Sequence, residues 1–212
     1  NLKKAIQYII SIHIPIILTV SLPLFLGWAY PGIFTPMHVI FLELIMGPTC
    51  SIAYENEPLG PDGMRRPPRP AQLTFLGWRE LWVSILQGLV IAAGTLGMYR
   101  LGVHWSLGED HVRTLVFITL IMANVGLTFV DRSFTRSVVR TFAHRNPLLH
   151  GMVLLTLAML AALLAVPVLR AFFHLAVPTL QQFITASTIG LASVLWFEGY
   201  KWARRSRVTA DG

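Results

Sequence analysis

The chain has 212 residues, of which 54% are hydrophobic and only 13% are charged, and its mean hydropathy is positive. This composition excludes an ordinary soluble domain and indicates an integral membrane protein. The net charge of +7 needs no nucleic-acid partner, because basic residues beside membrane helices bind the anionic headgroups of the lipid bilayer.

Six apolar segments are each long enough to cross the hydrocarbon core of a bilayer, which takes roughly 20 helical residues. They predict an all-α fold, a polytopic bundle of six transmembrane helices that forms a single membrane domain over residues 1–212. The connector at residues 57–79 is too short and too rich in proline to fold as a catalytic domain. The predicted spans are residues 6–27, 36–56, 80–100, 114–131, 148–168 and 180–200.

Basic residues flank these spans unevenly. If the N-terminus is cytoplasmic, all but three of the 17 Lys and Arg residues lie on the cytoplasmic side. The exceptions are Arg100, Arg113 and Arg170. The positive-inside rule therefore predicts that both termini, and the loop at residues 57–79, are cytoplasmic. Because the chain begins without Met and has Lys3 and Lys4 ahead of a full-length span, we expect it to be a piece of a longer polypeptide.

The first span carries His13 and Pro15 near its middle. Proline has no amide hydrogen, so Pro15 frees the carbonyl of Ser11, four residues earlier. We expect a broken helix here, although prolines in membrane helices often only bend them. His13 beside the break is either a ligand for an ion or a proton, or a hydrogen-bonding partner of a neighbouring helix.

The second span carries an acid and another proline. Pro48, which follows Gly47, frees the carbonyl of Leu44, and Glu43 lies within the apolar segment. An ionisable residue inside a membrane is costly, faces a protein interior and usually has a function. Free carbonyls and a carboxylate suit a hard cation or a proton better than a soft metal. The two spans therefore predict a cation or proton site between two proline-broken helices.

Asn124, in the fourth span, is a further candidate for this site. An asparagine in a membrane helix either binds an ion or joins two helices by a hydrogen bond, and the sequence leaves both roles open. The predicted site thus consists of the side chains of Glu43, His13 and Asn124, with the backbone carbonyls of Ser11 and Leu44.

Three segments of the chain resemble one family of membrane proteins. They are the opening NLKKAIQYIIS, the stretch PMHVIFLELIMGPTCSIAYENEP and the loop GPDGMRRPPRP. They look like the C-terminal membrane half of P-type cation-transporting ATPases, on the branch of the calcium pumps and their bacterial relatives. The resemblance implies that the six spans are helices five to ten of ten. It also implies the partners, which are the first four membrane helices and the cytoplasmic domains of the same pump, where ATP and Mg²⁺ bind.

The residues that carry out ATP chemistry in such pumps do not occur in the chain. It contains neither a D-K-T-G-T phosphorylation motif nor a glycine-rich phosphate cradle, so we expect no catalytic residue and no cofactor site in it. By resemblance, the expected function is ion translocation in a pump of the bacterial inner membrane. Two alternatives stay open: a free-standing six-helix secondary transporter or channel, and a degenerate pump half with a regulatory role.

The chain departs from the calcium pumps at several positions of the expected ion site. By resemblance, His13 and Glu43 stand where these pumps have asparagine ligands, and Asn124 matches an asparagine. Ile16 and Gly47, however, stand where the pumps have acids. The identity of the ion therefore stays open: a proton, a monovalent cation, or a divalent cation helped by carboxylates elsewhere in the pump fits better than a complete calcium site. Glu43, one helical turn from Gly47, could serve as the sole acid.

Overall fold

The computed structural model describes residues 2–48, 54, 77–131 and 146–210. Within these ranges the chain is helical and forms no strand, so the predicted all-α fold is confirmed. The helices are α1 (Leu2–Phe25), α2 (Pro36–Pro48), α3 (Trp78–His104), α4 (Glu109–Val130), α5 (Pro147–Ala165), α6 (Pro167–Phe172) and α7 (Leu180–Ala210).

Five of the described helices are long and apolar enough to cross a membrane, so the chain is a helical membrane bundle. Helix α2 is apolar but shorter. The predicted second span continues to residue 56, and beyond Pro48 only Tyr54 is described; most of the predicted loop at residues 57–79 is also outside the described residues. The membrane-length segments are Lys3–Phe25, Glu80–His104, Glu109–Val130, Pro147–Ala165 and Leu180–Gly199.

Helix α4 forms the centre of the bundle. Its apolar segment is 83% buried, whereas that of α5 is only 22% buried, which leaves α5 at the periphery. Helix α7 packs most extensively on α4, and α1 packs on α3. At Gly190 of α7 the carbonyl oxygen of Thr119 leaves no room for a Cβ atom. A small residue at this point lets the two helices approach closely, as is usual in membrane bundles.

Helix α1 runs through Pro15 without interruption. This corrects the prediction of a break in the first span. Pro15 removes only one hydrogen-bond donor, and the packing of α1 on α3 supports the turns on either side. An ideal Cβ on Gly88 of α3 would lie 2.9 Å from the carbonyl oxygen of Ser11, so the carbonyl that Pro15 leaves without a helical partner lies against α3.

Helix α5 ends before the predicted limit at residue 168. It stops at Ala165 because Pro167 cannot continue the helix, and Pro167 instead begins the short helix α6. Helix α4, in contrast, starts earlier than the predicted residue 114. Its first turn carries Glu109 and Asp110, whose negative charges favour a helix N-terminus.

Candidate cation site

His13 on α1 and Glu43 on α2 lie side by side. The distance between His13 Nε2 and Glu43 Oε1 is 3.0 Å, and His13 Nδ1 lies 2.8 Å from the carbonyl oxygen of Ile9. The two side chains are 40% and 45% exposed in this chain, so the pair lies at the edge of the bundle. The fold thus brings two of the sequence-predicted site residues together.

The two contacts of the His13 ring indicate which of its nitrogen atoms carry hydrogen. A carbonyl oxygen can only accept, so Nδ1 donates to Ile9. The contact between Nε2 and Glu43 then requires a second proton. That proton is either on Nε2, which makes an imidazolium facing a carboxylate, or on Glu43, which then donates to Nε2. In both forms the contact is a hydrogen bond that joins α1 to α2.

A cavity of about 180 Å³ adjoins the pair. It is much larger than the roughly 10–15 Å³ that one water molecule needs, so the carboxylate and the imidazole border a space that can admit water or a cation. Nothing lies within 4 Å of an ideal Cβ on Gly47, so a larger side chain fits at that position. The lining includes Tyr8, Ile12, His13, Glu43, Met46 and Gly47.

Asn124 lies behind this cavity and is not part of its lining. The asparagine is 4% exposed, and its Oδ1 accepts a hydrogen bond from the hydroxyl group of Tyr8. Tyr8 is fully buried and borders the cavity, so Asn124 is hydrogen-bonded to a residue of the cavity wall. Tyr8 was not among the site residues predicted from the sequence, because a tyrosine in an apolar helix carries no signal of its own.

The two predicted carbonyl ligands belong to residues that do not line the cavity. Ser11 is fully buried and its carbonyl faces Gly88, while the side chain of Leu44 is on the exposed side of α2. In the described ranges, no group of three or more His, Cys, Asp or Glu side chains gathers as metal ligands. The arrangement can therefore hold a proton, or supply one side of the ligand shell of a cation.

Arg113, at the start of α4, is a buried cation that the sequence indicated only as an exception to the charge distribution. It is 5% exposed and forms ion pairs with Glu109 and Asp110. It also donates to the carbonyl oxygens of Ile33, at 2.7 Å, and His174, at 3.1 Å. This cluster therefore connects the α1–α2 loop, α4 and the α6–α7 loop.

Two further buried ionisable residues, Asp131 and Lys201, lie near the other end of α4. They are 0% and 3% exposed, and neither was predicted as functional. The sequence signal for Asp131 is an acid directly after an apolar run, which equally marks an ordinary helix end. Their burial depends on how α3, α4 and α7 pack, which the local sequence does not reveal.

Known proteins match nearly the whole chain. Residues 31–203 match the family described as cation-transporting ATPase, C-terminus. Calcium-transporting ATPase 1 of Bacillus cereus is 24% identical to the chain, over 97% of this chain and 25% of the relative. Calcium-transporting ATPase 1 of Lactococcus lactis is 27% identical, over 93% of this chain and 22% of the relative. The chain thus spans about a quarter of the length of these curated relatives.

Proposed function

The chain belongs to the family of C-terminal segments of cation-transporting ATPases, and from this premise we propose that it is the ion-translocating membrane half of a P-type pump. In this proposal, ATP hydrolysis takes place in cytoplasmic domains that lie outside the 212 residues and bind ATP and Mg²⁺. The chain binds the ion near α1 and α2 and changes its accessibility when the phosphorylated domain moves α1 and the loop at residues 57–79.

The contact between His13 and Glu43 at the edge of the cavity is the observation that supports this proposal. A carboxylate and an imidazole that share a proton at the edge of an apolar bundle form a group that can exchange that proton for a cation. Both side chains are close to half exposed in this chain. The first four helices of the same pump therefore have room to supply the remaining ligands.

The nature of the ion follows from the number of carboxylates at the cavity. The relatives from Bacillus cereus and Lactococcus lactis are named for calcium, but Glu43 is the only acid that lines the cavity in the described part of this chain. One carboxylate balances a double charge poorly. We therefore propose a proton or a monovalent cation as the transported ion, with a divalent cation requiring further acids from the preceding half.

The proposed location is the inner membrane of a bacterium, with both termini in the cytoplasm. The distribution of Lys and Arg supports this orientation, since Arg100, Arg113 and Arg170 are the only exceptions in the sequence. The bacterial origin of the relatives from Bacillus cereus and Lactococcus lactis supports the choice of a bacterial membrane.

The experiment compares two glutamates of equal exposure in the full-length pump. The side chains of Glu43 and Glu109 are both 45% exposed and both pair with a basic residue. We expect Glu43→Gln to weaken the cation stimulation of ATP hydrolysis at least about tenfold, equivalent to about 1.4 kcal/mol of binding, at unchanged expression. Glu109→Gln should leave the cation response intact.

An unaltered cation response in Glu43→Gln would remove Glu43 from the site. The same purified proteins also distinguish an active pump from a degenerate pump half with a regulatory role. The absence of acids at Ile16 and Gly47 makes that second hypothesis worth testing. Wild-type protein that forms no acid-stable phosphoenzyme with any cation would decide for the regulatory reading.

A further inference from the structure

Asp131, at the C-terminal end of α4, has a buried carboxyl group, and one of its two oxygens accepts a hydrogen bond from α3. It is 0% exposed, and its Oδ1 accepts a hydrogen bond from Gln87 Nε2 on α3 at 3.0 Å. Its Oδ2 is buried and has no hydrogen-bond partner among the residues that the structure describes. An ionised carboxylate in that position would lack partners for half of its charge, which strongly disfavours the ionised form.

Among the described residues, Lys201 is the charged residue that interacts electrostatically with Asp131. Its ammonium group also has two hydrogen-bond acceptors. Its Nζ donates to the carbonyl oxygen of Val130 at 2.6 Å and to Glu198 Oε1 at 2.7 Å. Since its ammonium group is shared with Glu198, Lys201 offsets the charge of an ionised Asp131 only in part. The group of α3 that bonds Asp131 in the described part of the chain is the neutral amide of Gln87.

We propose that Asp131 is a proton-binding site of the membrane domain, separate from the His13–Glu43 pair. Its Oδ2 carries the proton, while Oδ1 accepts from Gln87. The hydroxyl group of Ser11 on α1 lies 3.2 Å from Oε1 of Gln87, but it lies closer to the carbonyl oxygens of Gln7, at 2.9 Å, and Ser84, at 3.1 Å. The proton site therefore lies where α3 and α4 meet.

Infrared spectroscopy of the full-length protein in lipid vesicles tests this proposal without any transport measurement. At neutral pH we expect a carbonyl stretch of a protonated carboxylic acid that disappears in Asp131→Asn. The matched control is Asp110→Asn, since Asp110 is 57% exposed and paired with Arg113; it should leave the band in place. A band that Asp131→Asn leaves unchanged would overturn the proposal.

Two further variants keep the test decisive if Asp131→Asn does not fold. Asp131→Glu should shift the frequency of the band, because the acid is lengthened but still protonated; an unshifted band contradicts the proposal. Lys201→Met should leave the band as it is in the wild type. If the band is absent from the wild type and appears only in Lys201→Met, Asp131 is ionised and paired with Lys201, and the proposal fails.

Discussion

Two ion-paired groups in this bundle differ in how completely their partners surround them. Arg113 is 5% exposed and is held by two carboxylates and two backbone carbonyl oxygens. His13 and Glu43 have each other and the carbonyl of Ile9, and both remain 40% exposed or more. A buried group with four hydrogen bonds holds loops in place, whereas a partly exposed group beside a cavity is available to a ligand.

The largest effect expected from this contrast is on stability. Arg113→Met removes the donor of two backbone carbonyls and unpairs two carboxylates, so we expect a loss of about 3 kcal/mol, the scale for breaking a buried ion pair. The measurement is detergent-induced unfolding of the purified protein. His13→Asn is the counterpart, with an expected change of less than about 1 kcal/mol because the pair is partly exposed. Equal losses of unfolding free energy in both variants would show that the His13–Glu43 pair also stabilises the fold.

The next effect concerns the open side of the cavity. Gly47→Asp places a second carboxylate one turn from Glu43, in a position where nothing lies within 4 Å of the new Cβ. We expect the apparent affinity for divalent cations to rise about tenfold, or about 1.4 kcal/mol, in titrations of cation-stimulated ATP hydrolysis. Gly108→Asp, which adds the same charge at the start of α4, should not change that affinity. Identical titrations for both variants would separate Gly47 from the ion site.

The sequence predicted the helices better than their packing. Long apolar runs are sufficient to identify membrane helices, because the bilayer core requires a helix of a certain length. The outcome at Pro15 was not predictable, since the loss of one hydrogen bond interrupts a helix only where packing does not support the neighbouring turns. At Pro167 the same residue type did end a helix, and there it begins α6.

The candidate site was predictable as a set of residue types and not as a geometry. His13 and Glu43 stand out because ionisable residues are rare in membrane segments, and their contact depends on how α1 and α2 pack. Tyr8 has no such signal. Asp131 lies at the end of α4 and Lys201 just beyond the apolar segment of α7, where charged residues are common. Only the packing of α7 on α4 shows that they are buried.

The smallest effect tests whether Tyr8 contributes to cation binding, as proposed for His13 and Glu43, or only to stability, as expected for Arg113. Tyr8→Phe removes the hydrogen bond to Asn124, which should cost about 1 kcal/mol of stability. Tyr30→Phe removes a comparable bond, from the Tyr30 hydroxyl to the carbonyl of Leu107 at 3.0 Å, and should cost about the same. Because Tyr8 borders the cavity, only Tyr8→Phe should also weaken cation binding, by about twofold to threefold, a part of what one hydrogen bond contributes. If both variants leave cation titrations unchanged, Tyr8 and Asn124 only join α1 to α4, and the cation site in this chain is limited to His13 and Glu43.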